Sequence, residues 1–266
     1  METDRNLNGI RFFEAPKIRE SGLAIHAFCT RKGGVSQGSF WSLNFSKKTG
    51  DTEKDVGKNF EKLTDAFHIS PSSLLTVNQV HKDQVLVIKK MIPNYHPGRK
   101  LNYDAIITNQ RRVFIGVLTA DCLPIILLDT EKKAVGVIHA GWRGTSLNIA
   151  HKTVSAIFDT FGTIPENLLV GLGPAIGSCC YQVDSSVVNS FKSSLPNWEL
   201  FINPAKTQKW SLDLAAINLE QLMEAGIPRD NIHLTDLCTA CENKFFFSHR
   251  RDRGRTGRQL SFIGLI

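Results

Sequence analysis

The chain of 266 residues is 42% hydrophobic and 21% charged, a balance that buries enough apolar surface to order a backbone and excludes disorder as the dominant state. Its formal charge is +7, and the excess is local: between Lys244 and Arg258 the cations Lys244, Arg250, Arg251, Arg253, Arg255 and Arg258 face the single anion Asp252. The longest apolar stretch, 113–128, is interrupted by Asp121 and Pro124 and is too short to span a bilayer, and the first residues lack the basic and apolar regions of a secretory signal, so a cytoplasmic protein is expected. In chain order, helical periodicity comes first, over Val56 to Phe67. β-Branched runs then predict strands at 74–80, 85–88, 105–108, 113–118, 125–128 and 134–138. After Gly144, Leu147, Ala150, Val154, Ile157, Phe158 and Phe161 recur at helical spacing until Gly162. A strand at 168–172 and a helix over Leu212 to Ala225, closed by Gly226 and Pro228, complete the pattern. Strands and helices interleave without repeats or a linker, which predicts a layered α/β (mixed α+β) fold in one domain spanning 1–266.

Polar residues collect where strands end. The run at 113–118 opens into Thr119-Ala120-Asp121-Cys122, and 134–138 into His139-Ala140-Gly141-Trp142-Arg143-Gly144; sites gather beyond strand ends in sheets covered by helices. Cys122 and His139, joined by His81, are candidates for a metal site or a nucleophile–base pair, and each is equally a residue type found satisfied in a core. Two imidazoles and a thiolate suit zinc or copper and leave a fourth position for water or substrate. Arg143 lies between glycines at an expected helix start, where free backbone N–H groups favour an anion. Thr30-Arg31-Lys32-Gly33-Gly34 and Gly173-Pro174-Ala175-Ile176-Gly177 either approach a ligand or simply make turns.

Six cysteines are few for an oxidising compartment, so reduced thiols are expected. Cys238-Thr239-Ala240-Cys241 has redox-motif spacing, but with no second pair to complete a zinc ribbon it reads as structural, and the vicinal Cys179-Cys180 as packing. Phe245-Phe246-Phe247 reads as a buried strand, and the arginines after it as a solvated or phosphate-binding loop.

Several of these motifs occur together in one order. Asn78-Gln79-Val80-His81, Thr119 to Ile125, His139 to Gly144, Gly173 to Gly177, Phe246-Phe247-Ser248-His249-Arg250-Arg251-Asp252 and Thr256-Gly257-Arg258, preceded by Ser42-Leu43-Asn44, resemble the laccase-domain purine nucleoside phosphorylase family. That family is also called the polyphenol oxidase or multicopper laccase-like family, and the resemblance covers nearly the whole chain. It implies a fold similar to cysteine hydrolase-like α/β proteins and metal ligands at His81, Cys122 and His139. It also implies phosphorolysis of adenosine, inosine and methylthioadenosine, with adenosine deamination beside it. Zinc is the expected ion, with copper the alternative. Lys82 and Asp83 replace a glycine that often follows the first ligand histidine in relatives.

On this resemblance Asp121, Cys122 and Arg143 are expected to carry the chemistry, and Arg31, Asn44, Arg143 and Gly173 to hold phosphate or nucleoside. The expected partners are purine nucleosides and phosphate, without nucleic acid or membrane. The alternatives are a cysteine hydrolase or amidase with Cys122 as nucleophile, including one that edits peptidoglycan precursors, and a copper-dependent polyphenol oxidase. Eight histidines are too few to fill the usual paired motifs of a multicopper enzyme. A nucleic-acid-binding protein using the Arg250 to Arg258 loop would be held mainly by charge, and its affinity would fall steeply with salt.

Overall fold

Runs of apolar residues with no polar face require cover on both sides, and in this chain that cover is a second sheet on one face and helices on the other. The computed structural model describes residues 4–90, 101–205 and 208–266; Met1, Glu2 and Thr3 of the N-terminal reading lie outside them. The order of elements is β1 (Asp4–Leu7), β2 (Ile10–Phe13), α1 (Pro16–Glu20), β3 (Ala24–Cys29), α2 (Glu53–Ala66), β4 (Leu74–Thr76), β5 (Val85–Ile88), β6 (Ala105–Thr108) and β7 (Phe114–Thr119). There follow β8 (Leu123–Asp129), β9 (Ala134–Ala140), α3 (Trp142–Ser146), α4 (Ile149–Phe161), β10 (Leu168–Leu172), β11 (Gln182–Val183) and α5 (Ser185–Lys192). Last come β12 (Ile202–Pro204), β13 (Trp210–Leu212), α6 (Leu214–Glu224), β14 (Ile232–Leu234) and β15 (Gln259–Leu265).

One six-stranded sheet runs β1-β2-β3-β15-β7-β4 and a second runs β14-β10-β8-β9-β6-β5. Both are largely antiparallel, with parallel pairs at β4–β7, β10–β14 and β5–β6. Side chains alternate across each strand, and both faces are used. Ile126 and Leu128 of β8 and Val135 and Val137 of β9 meet Ile115, Val117 and Ile263 of the first sheet. Leu123, Ile125 and Leu127 face the other way, toward Val154 and Ile157 of α4 and Leu222 of α6. On the far side of the first sheet, Phe12, Phe114 and Phe262 pack against Leu63 and Ala66 of α2. The mixed α/β class therefore takes the form of four layers: helix, sheet, sheet, helices. A small antiparallel sheet, β11-β13-β12, packs with α5 beside α6.

The differences from the sequence reading have local causes. α2 begins a turn before Val56 because the Thr52 hydroxyl caps it, accepting from the Asp55 N–H at 3.0 Å. The apolar pattern after Gly144 is two helices, α3 and α4, because Asn148 is left-handed at φ 62°. The strand expected over 74–80 stops at Thr76, and Phe245–Phe247 is turn and loop rather than strand, although Phe246 and Phe247 are fully buried.

Candidate metal centre and active site

Three residues, Ala120 to Cys122, carry the chain from the end of β7 in one sheet to the start of β8 in the other. The β8–β9 ladder sets Leu123 opposite Ala140 and Pro124 opposite His139, so pairing brings Cys122 beside His139. His81 arrives from the loop after β4. Gln79 fastens that loop to β7 like an added strand residue: its Nε2 donates to the Leu118 carbonyl at 2.7 Å and its Oε1 accepts from the Leu118 N–H at 2.8 Å. The ligand-capable atoms of His81, Cys122 and His139 then lie within 4.8 Å of one another, with the two imidazole rings nearly perpendicular at 83°.

Behind them stands Asp104, a fully buried carboxylate just before β6 that the sequence reading did not single out. It accepts the Val80, His81 and Lys82 N–H groups at 3.2, 2.9 and 2.8 Å and meets His139 Nδ1 at 2.8 Å. The His139 ring is thereby oriented with Nε2 turned to Cys122 and its proton on Nδ1, the arrangement that supports a metal-ligating histidine. The only available signal was a lone Asp preceding an apolar strand, which pattern cannot separate from a loop residue.

The electrostatics follow. Burial opposes ionisation of Cys122, but His139 and His81 facing its sulfur outweigh burial and bring the thiol down to about 6. Burial likewise opposes a charged His139, yet Cys122 and Asp104 raise it to about 9. Without a metal the pair is thus thiolate and imidazolium, and a cation can replace the proton between them. The residues fit one: two imidazoles and a thiolate suit zinc or copper, and space is kept open beside them. A Cβ added to Gly141 would lie 3.1 Å from both Cys122 Sγ and His81 Cδ2.

The other expected site residues are placed differently from one another. Asp121, at φ 97°, accepts the Thr239 hydroxyl on one carboxylate oxygen at 2.7 Å and the Arg250 N–H on the other at 2.6 Å. Arg143 sits exposed in the first turn of α3, stacked on Trp142 at 4.3 Å. Arg31 lies under Trp41 and Phe247, donates to the Trp41 carbonyl at 2.5 Å, and lines an open cleft of about 300 Å³ with Ser39, Asp252 and Arg255. Asn44 is fully buried with its amide spent inside the protein: it donates to Ser46, Thr49 and Asp51 and accepts from the Arg258 N–H at 2.9 Å. It holds the Arg258 backbone instead of presenting a face to a ligand. Gly173 is a packing residue, since a Cβ there would lie 2.3 Å from the Phe28 ring.

Two further residues enter the site. Arg258 is half-buried, and although burial lowers its pKa, Cys122 and Asp121 favour its charge. Tyr181 has its hydroxyl pushed up by burial and by Cys122, while Arg250, stacked on its ring at 5.1 Å, and Arg143 oppose that shift. In the basic segment Lys244, Arg250, Arg253 and Arg255 are exposed, while Arg251 makes a paired contact with Asp252 and donates to the carbonyls of Thr239 and Phe246, and Arg250 donates to the Gln182 carbonyl. Asp83, in place of the expected glycine, pairs with Lys152 of α4. Cys238 and Cys241, read as structural, and Cys179 and Cys180, read as packing, are brought together into one cluster.

The chain is similar to known proteins over most of its length. A Bacillus subtilis (strain 168) protein named purine nucleoside phosphorylase YlmD is 36% identical over 246 residues, covering 91% of this chain and 88% of that one. A Deinococcus radiodurans protein named purine nucleoside phosphorylase is 34% identical over 252 residues, covering 94% and 93%. The crystal structure of YlmD from Geobacillus stearothermophilus has a TM-score of 0.91 and 34% identity, over 98% of this chain and 97% of that one. Residues 25–266 match the family described as multi-copper polyphenol oxidoreductase laccase, and with relatives this similar along most of their length the chain belongs to that family.

Proposed function

We propose that the protein is a zinc-dependent purine nucleoside phosphorylase acting on adenosine, inosine and methylthioadenosine, with adenosine deamination as a second reaction of the same site. The observation that carries this reading is the His81, Cys122, His139 set braced by Asp104, with the Arg258 charge favoured by Cys122; the names of the relatives support the substrate class. In phosphorolysis the bond from C1′ to the purine nitrogen breaks as a phosphate oxygen bonds to C1′, and the base leaves with a proton. Arg143 is the residue proposed to hold phosphate: its guanidinium is exposed, stacked on Trp142, and makes no ion pair among the described residues. Arg258 adds positive charge beside Cys122 and Asp121. Asp121 is proposed to exchange the proton, each carboxylate oxygen keeping a lone pair beyond its present hydrogen bond. His81, Cys122 and His139 would hold zinc, which supplies Lewis acidity at an open fourth position. Arg31 is proposed as a more distant phosphate contact in its cleft. Asn44 and Gly173 act through Arg258 and Phe28.

Steady-state turnover of adenosine and inosine tests this. Arg143→Ala should lose tens- to hundreds-fold in rate, the equivalent of about 2–3 kcal/mol for an anion left without a charged partner, while the surface change Lys89→Ala should match wild type. Equal rates for the two variants would remove Arg143 from the site. One observation favours a second reading: a thiolate beside an imidazolium that is itself held by a carboxylate is also the arrangement of a cysteine hydrolase. Activity that survives complete metal removal and is abolished by alkylating Cys122 would select that reading.

A further inference from the structure

The loop after β10 and the segment after β14 are drawn together by a parallel bridge between Ala175 and Cys238, with the Thr239 N–H on the Ala175 carbonyl at 2.9 Å. This sets Cys179, Cys180, Cys238 and Cys241 in one cluster, all four sulfurs within 4.8 Å of one another. Cys180 and Cys241 are 3.5 Å apart, and Cys179 lies 3.7 Å from each of them. A tetrahedral zinc with Zn–S bonds of about 2.3 Å holds its sulfurs about 3.8 Å apart. The four cysteine sulfurs around an iron–sulfur cluster, bound to different irons, cannot all lie so close together.

Three further features agree. Cys179 and Cys241 are exposed, which gives an ion access and is not where packing cysteines sit. The Gly177 N–H donates to Cys238 Sγ at 3.3 Å, a backbone donor aimed at a sulfur as thiolate ligands require. Arg250, on the Cys180 and Gln182 carbonyls, flanks the cluster with positive charge, and Arg251, paired with Asp252, holds the Thr239 and Ala240 carbonyls beside it. Arg250 would offset part of the net negative charge of four thiolates around a divalent ion.

We propose that Cys179, Cys180, Cys238 and Cys241 form a second, structural metal site that binds one zinc ion through four thiolates. The four thiols give up their protons to solvent as the ion binds, and nothing is oxidised or reduced. The site joins the two segments that support the catalytic loop: Ile176 donates its N–H to the Asp121 carbonyl at 2.9 Å and Thr239 its hydroxyl to the Asp121 carboxylate. Asp121 precedes Cys122, so the second site sets the position of the first without touching substrate.

The test uses the full chain purified under reducing conditions and supplied with zinc, then freed of loose metal. Cys122→Ala, which removes a ligand of the first centre, should retain about one zinc per chain, with X-ray absorption fitting four sulfurs at about 2.3 Å. Cys238→Ser should lose that ion while the mixed histidine and cysteine centre keeps its own. Should Cys238→Ser not fold, the absorption spectrum of Cys122→Ala decides alone. A metal-free Cys122→Ala, a sulfur shell diluted by nitrogen, or a chain mass short of hydrogens because the cysteines have paired as disulfides would each overturn the proposal. Wild type with one zinc in an all-sulfur shell would support it and count instead against zinc at His81, Cys122 and His139.

Discussion

Asp104 accepts three backbone N–H groups from the His81 loop and holds His139 Nδ1, so a single carboxylate sets both imidazoles. Burial opposes its ionisation, but His139 and the Lys82 and His81 N–H groups lower its pKa. Asp104→Asn keeps the shape and removes the charge. The expected result is a 10- to 100-fold loss of metal affinity, the usual effect of removing a carboxylate behind a ligand histidine, measured by competition with a chelator; unchanged affinity would make Asp104 a loop anchor only. At this scale the three ligand candidates were legible as residue types, but their convergence was not, since gaps of tens of residues carry no spacing signal. Residue type and placement at strand ends suggested the set, and the family resemblance strengthened it. Asp104 was invisible for the same reason.

Among the elements, β5 to β10 were legible because their branched apolar residues cluster between turn residues. β15 was not, although it lies at the centre of the first sheet between β3 and β7. It follows the arginine segment directly, and its sequence mixes Ser261 and Gly264 among residues that face two different cores. The strands of the small third sheet have two or three residues each, too few for a period to show. Gln79 is a case where a loop behaves as part of an element: its side chain completes the edge of β7 at Leu118. Gln79→Ala removes both bonds and frees the His81 loop. Turnover should fall about tenfold or more while the melting temperature changes little, because the loop and not the sheet is loosened; a large loss of stability at normal turnover would contradict this.

For the whole molecule, the stacked layers bury polar groups whose charge state then governs stability. His26 of β3 is almost wholly buried, its Nε2 accepting the Ala15 N–H at 2.9 Å. Burial, with Arg19 and His233 nearby, lowers its pKa from 6.5 to about 3. The unfolded chain therefore takes up a proton near pH 6.5 that the folded chain refuses until about pH 3, so stability is full above the first value and is lost as pH falls toward the second. His26→Gln should flatten the acid limb of denaturant-derived stability by about 1.4 kcal/mol per pH unit in that window, and identical limbs would show that His26 titrates alike in both states. The same layers bring the ends of β7 and β9 together where Cys122 and His139 meet, so the fold and the proposed chemistry stand on one junction. Chromatography of inosine reactions with and without phosphate tests that chemistry most directly: ribose 1-phosphate and free hypoxanthine should appear together and only when phosphate is present, whereas hypoxanthine released at the same rate without phosphate would contradict phosphorolysis.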